Sequence, residues 1–119
     1  MKRDMDLIRS ILIGTEQLPH GEIVELEIDG FTPDEISYHV MLLHEAGYLI
    51  GHAAHVWHVE RLTWEGHEFL EASRDDTRWN KAKEIVKEKG GGLAVDVLKQ
   101  VLLQLMNTSV MAALHSATH

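Results

Sequence analysis

No cysteine occurs among the 119 residues, so disulfides, thiolate metal ligands and cysteine nucleophiles are excluded together. A reducing compartment suits such a chain, and cytoplasmic placement is the expectation. Between Arg9 and Arg61 there is neither lysine nor arginine, which removes from half of the chain the side chains that answer a phosphate. Long apolar runs are missing as well. The opening MKRDMDLIRSILIG carries a basic pair, but Asp4, Asp6 and Arg9 interrupt the apolar segment that a secretion signal needs, so none is expected. The longest apolar-rich stretch, Leu93 to Met106, is broken by Asp96, Lys99, Gln100 and Gln104 and falls short of the roughly 20 residues of a membrane span. No membrane association is expected.

What is present is ordinary globular material, with 45% apolar and 25% charged residues in a length that suits one domain. The net charge of -8 is unevenly placed. Residues 1–60 hold three basic side chains against eleven acidic ones, whereas residues 61–119 hold eight of each. The whole anionic excess therefore lies in the first half of the chain.

Met5, Leu7, Ile8, Ile11, Leu12 and Ile13 recur at helical spacing, with Asp4 or Asp6 near the start and Gly14 where a first helix could stop. GEIVELEIDG alternates apolar and acidic residues between turn-prone ends, which predicts a strand with a charged outer face. Thr32, Pro33, Asp34 and Glu35 form a strong helix start with a capping box, and Gly47 ends that helix. Its exposed side is expected to carry Tyr38, His39, Met41, Leu42 and His44. Tyr48 to Ile50 and VWHVERL predict a hairpin around the loop GHAAH, with Val56, His58 and Glu60 on one face and Trp57, Val59 and Arg61 on the other. Thr63 caps a helix through WEGHEFLEASRDD whose core contacts are expected from Trp64, Phe69 and Leu70. TRWNKAKEIVKEK is a further amphipathic helix with Trp79, Ala82, Ile85 and Val86 inward. Gly90 to Gly92 read as a flexible joint, and a last helix runs from about Ala94 to Leu114.

With these elements in place, ISYHVMLLHEAGYLIG resembles the reading-helix pattern of winged-helix repressors. RLTWEGHEFL is similar to the threonine-then-glycine helix start that follows the wing in the multiple-antibiotic-resistance and PadR types. MKRDMDLIRSIL, EGHEFLEASRDDTRWNKAKE and the triple glycine resemble a family of small proteins of unknown function found mostly in phages and prophages. That likeness covers nearly the whole chain and implies a winged-helix fold and a phage setting, without an activity. One departure matters: a repressor has a supporting helix before the reading helix, whereas PHGEIVELEIDG reads as strand and turn.

Nine histidines invite a metal reading, particularly His52, His55 and His58. A spacing of three suits one helix face poorly, and on a strand His55 and His58 point apart, so solvated histidines are expected, with no metal and no cofactor. The same imidazoles give the wing a means of sensing pH. Ser37 and His39 point apart on a helix, no glycine-rich phosphate loop exists, and no carboxylate pair is marked out, so an enzyme is not expected.

The fold expected is therefore α+β: a winged helix over residues 1–73 with a β-hairpin wing, and a C-terminal helical extension over 74–119 that belongs to the same domain or serves dimerisation. The function expected is stoichiometric binding to a protein partner, as regulator or inhibitor of a host factor, with the acidic surface standing in for nucleic-acid charge. Glu25, Glu27, Asp34, Glu35, Tyr38, His39, Leu42 and Glu45 are the residues expected to carry it, because aromatic and uncharged groups desolvate cheaply beside the acids. The alternative is a DNA-binding regulator using Arg61 on the wing and Arg74, Arg78 and Lys81, spaced to share one helix face. A homodimer is expected through Val97, Val101, Leu105 and Val110 of the last helix, whose apolar stripe is wide for a single neighbour.

Overall fold

The computed structural model describes residues 1–88 and 95–117, with side chains over 1–87 and 95–107. The order is α1 (Met5–Glu16), α2 (Pro33–Glu45), β1 (Leu49–His52), β2 (His58–Leu62), α3 (Trp64–Ser73), α4 (Asp76–Glu88) and α5 (Val95–Ala117). The class is α+β, five helices with one two-stranded antiparallel hairpin between them. The glycine joint expected at 90–92 and the side chain of Val110 lie outside the described residues. No helix among the described residues is long and apolar enough to cross a membrane. The chain divides into two compact units, residues 1–70 and 71–119.

In the first unit, Asp4 caps α1 by accepting hydrogen bonds from the backbone N–H of Asp6 and Leu7 at 3.0 and 3.1 Å. Leu7, Ile8, Ile11 and Leu12 are buried on one face, as their spacing predicts. Gly14 does not stop the helix, which continues to Glu16. A tolerated glycine costs a helix about 1 kcal/mol, less than the apolar face of α1 returns. The helix packs against α2 and β2, and α2 packs against β1.

The strand expected over 22–28 is overturned: the segment is extended, yet a single bridge joins Val24 to Val59 through two 2.9 Å hydrogen bonds. Its alternation is visible in burial, with Val24, Leu26 and Ile28 half-buried and Glu25 and Glu27 exposed. A ladder fails because the neighbouring donors are engaged elsewhere. The Glu22 N–H donates to Pro19 O at 3.4 Å, and the Trp57 N–H to Ser37 Oγ at 2.8 Å. Periodicity selects the face of an extended segment, but pairing also needs free N–H groups opposite it.

The hairpin pairs Leu49 with Leu62 and Ile50 with Arg61, then shifts to Gly51 with Val59 and His52 with His58. This bulge breaks the strict alternation expected for VWHVERL. Val59 and Leu62 are buried while Arg61 is exposed, so Val59 and Arg61 do not share a face.

Thr63 then begins α3 and fixes it to the preceding helix end. Its hydroxyl donates to Gly47 O and accepts from the Gly66 N–H at 3.1 Å, while its own N–H donates to Tyr48 O at 3.1 Å. Gly66 faces the Tyr48 carbonyl so closely that an added Cβ would overlap that oxygen. Since Gly66, Phe69 and Leu70 share the inward face, Trp64 falls opposite them. It is 77% exposed, contrary to the core contact expected of it, and its indole N–H donates to Glu68 Oε1 at 2.6 Å.

In the second unit α4 packs against α5. Trp79, Ala82, Val86, Leu98 and Leu102 are buried, and Ile85 is half-buried. Asp75 caps α4, accepting from the Arg78 N–H at 2.7 Å. The helix expected to run through Asp76 therefore ends at Ser73.

The two helical glycines should respond to alanine with opposite signs. At Gly14 a Cβ would meet only Leu26 methyls at 3.5 Å or more, so Gly14→Ala should stabilise by up to about 1 kcal/mol. Gly66→Ala should destabilise by about 1–3 kcal/mol, as an overpacked contact does. Urea denaturation of both variants checks this, and shifts of the same sign would contradict the Gly66 contact.

Candidate interaction face

The candidate surface is one side of α2, and it is defined by what the other sides are committed to. The start is fixed by a complete capping box: Thr32 Oγ1 accepts from the Glu35 N–H, and Glu35 Oε1 from the Thr32 N–H, both at 3.1 Å. Pro33 occupies the first turn, and Gly47 ends the helix with a φ of +85° that only glycine adopts without strain. Both features are those expected from the sequence. Ile36, Val40 and Leu43 are buried as the inner stripe.

His39 belongs to that stripe. It is 1% exposed, which corrects its expected place on the outer face. Its Nδ1–H donates to Glu35 O at 2.7 Å, and its Nε2 accepts from the Asp4 N–H at 2.8 Å. One ring nitrogen donates and the other accepts, so this pair of bonds selects the neutral Nδ1–H form of the imidazole. The helical spacing carried the signal, since position 39 lies three residues after 36 and four before 43 and so borders the buried stripe.

A second side of α2 holds the hairpin. Ser37 Oγ accepts the Trp57 N–H, and His44 Nδ1 accepts the Gly51 N–H at 3.0 Å while its ring lies 5.3 Å from that of Trp57. His44 is thus a hairpin anchor, not the free surface group expected of it. No pattern in the sequence announces these bonds, because they depend on where the hairpin folds back.

The side left over carries Asp34, Tyr38, Met41 and Glu45, spaced four, three and four residues apart, with Leu42 at its edge. Asp34 and Glu45 are exposed, and Tyr38, Met41 and Leu42 are half-buried. Tyr38 meets His39 edge-on at 5.6 Å, so its ring is supported from beneath. The helix contains no lysine or arginine. Of the eight residues expected to form a protein-binding set, four share this side. Glu35 is engaged in the capping box, His39 is in the core, and Glu25 and Glu27 are exposed on the extended segment.

Three of the four residues of the DNA alternative have partners within the fold. Arg61 Nε lies 3.7 Å from Glu60 Oε2, and Arg74 Nε lies 3.3 Å from Glu71 Oε2. Arg78 Nε donates to Ala72 O at 2.7 Å and its Nη2 to Glu71 O at 3.5 Å, so the guanidinium closes the last turn of α3. Arg74 precedes α4, so it does not share one helix face with Arg78 and Lys81 as expected. Lys81 is exposed.

On the hairpin, His52 Nε2 lies 2.8 Å from Glu60 Oε1, while His58 Nδ1 meets Val56 O at 2.9 Å. Among the described residues no three histidine or carboxylate groups converge as a metal site would require. Along α5, Leu98 and Leu102 are buried, Val97 is 47% exposed, and Val101 and Leu105 are half-buried.

Replacing His39 by leucine keeps the volume but leaves the Asp4 N–H without its acceptor. Chemical denaturation should show a loss of about 1–3 kcal/mol, against a change within about 0.5 kcal/mol for Met41→Ala on the outer side. Equal losses at both positions would contradict the assignment of inner and outer sides.

Comparison with known proteins bears on the stretch that contains this surface. Residues 2–92 match the model of a family described as hypothetical protein (DUF2513). An uncharacterized protein of Haemophilus influenzae strain Rd is 40% identical over 108 residues, covering 85% of this chain and 92% of that protein. No solved structure matches. With α1 to α4 all inside the matched region, and with a relative alike over most of both chains, the chain belongs to the DUF2513 family.

Proposed function

We propose that this chain is an acidic winged-helix module that acts by stoichiometric binding of a polypeptide through the outer side of α2. The winged-helix reading is supported by the order helix, bridging segment, helix, hairpin, helix, and by Val24 pairing with β2 on the edge away from β1. Among the described residues no helix stands between α1 and α2, so the supporting element of a DNA-reading motif has no counterpart.

The observation that carries the proposal is the chemistry of that outer side. Asp34 and Glu45 bracket Tyr38 and Met41, within a unit that holds four basic side chains against thirteen acidic ones over residues 1–70, a net charge of -9. Duplex DNA gains most of its affinity from phosphate neutralisation, and a surface of this sign repels it. An aromatic ring and a thioether between carboxylates suit a partner with an apolar patch rimmed by cations. Following the phage resemblance, the partner is a host factor, and a nucleic-acid-binding protein with a basic groove fits the charge.

Placing a photo-crosslinking residue at Met41 and irradiating cells that express the protein should give polypeptide adducts. Reversing charge with Asp34→Lys and Glu45→Lys together should abolish those adducts while the fold is retained by circular dichroism. Adducts to DNA, or polypeptide adducts unaffected by the double reversal, would overturn the proposal.

A further inference from the structure

A groove of about 390 Å³ lies in the first unit, away from the outer side of α2. Its walls are the end of α1 and the turn after it (Glu16, His20), the edge of β2 (Glu60, Arg61) and the first turns of α3 (Trp64, His67). From these walls we infer that the groove is a second binding site, which takes the guanidinium of an arginine side chain presented by a polypeptide. This goes beyond the α2 reading and does not require it.

Trp64 is the first reason. A ring 77% exposed gives up the burial that usually holds tryptophan in a fold, and here Gly66 turns it outward. Its edge is tethered by the indole N–H to Glu68 on the same helix, which fixes the ring along α3. A held indole face is the strongest aromatic acceptor for a cation, and a planar guanidinium stacks on it.

Charge is the second. Glu16, Glu60 and Arg61 stand on the walls; Glu60 meets His52 at 2.8 Å and Arg61 at 3.7 Å, and Arg61 donates from Nη1 to Leu62 O at 3.3 Å. The C-terminal end of α1 also borders the groove, and its last turn has no basic residue, so the negative end of that helix is uncompensated by its own sequence. The positive end of α3 is met by Glu65 in its first turn. Around these walls the unit carries its net charge of -9, which draws cations toward the groove and repels phosphates or carboxylates. A free arginine brings its own carboxylate into that field, whereas an arginine within a chain does not.

The test is a titration followed through the indole N–H signals of Trp57, Trp64 and Trp79 by two-dimensional NMR at low salt. The ligands are a capped Gly-Arg-Gly peptide, the same peptide with neutral citrulline in place of arginine, and free arginine. The arginine peptide should move the Trp64 signal saturably and leave the other two in place. Citrulline should weaken binding about tenfold or more, as should Trp64→Ala or Glu16→Gln followed on neighbouring backbone signals. Unmoved Trp57 and Trp79 signals in the variants report an intact fold. No saturable shift of Trp64, equal binding of the citrulline peptide, or undiminished binding by Trp64→Ala would overturn the site. Binding of free arginine as tight as the peptide would overturn the polypeptide source. Because the titration reads Trp64 and not adducts at Met41, its failure and that of the α2 reading are separable.

Discussion

The rotational setting of α2 governs which chemistry this domain shows to its surroundings, and His39 fixes that setting. Burial of Ile36, Val40 and Leu43 supplies the larger energy, about 1.5–3 kcal/mol for each fully buried aliphatic group, but an apolar stripe tolerates small rotations. Two hydrogen bonds from one imidazole do not. By donating to Glu35 O and accepting from the Asp4 N–H, His39 ties the helix to the cap of α1 at a defined angle. Ser37 and His44 then receive the hairpin on a second side. Only the side bearing Asp34, Tyr38, Met41 and Glu45 remains.

Features governed by neighbours in the chain were legible before the structure. The capping box at Thr32 and Glu35, the glycine stop at Gly47, the inner stripe of α1 and the position of the hairpin all follow from local spacing. What was not legible depends on contacts between distant segments. The 22–28 segment has the alternation of a strand, but Ser37 takes the Trp57 donor that would have extended its pairing. Trp64 reads as a core residue by type, and it faces solvent because Gly66 must approach the Tyr48 carbonyl on the opposite side of α3. Arg78 reads as a surface cation until the end of α3 is known, when it becomes the group that closes that helix. Half of the expected binding set shares one side of α2, and the exception that matters most, His39, lies in the core because its spacing from Ile36 and Leu43 sets it at the border of the buried stripe.

Charge and geometry together support the functional reading. Among the described residues, Arg61, Arg74 and Arg78 all have partners inside the fold, so three of the four cations of the DNA alternative are already answered. The acidic side chains of α2 beyond the capping box face outward instead. The family match spans this region without adding an activity. The outer side of α2 thus presents carboxylates and no cation.

The measurement that bears most directly on this is fluorescence anisotropy of a labelled random-sequence duplex titrated with the protein at about 10 mM salt, where phosphate contacts are strongest. The account predicts no saturable rise. A saturable isotherm whose affinity falls steeply as salt is added would contradict it, because cations would then be meeting phosphates on a surface argued to carry none for that purpose.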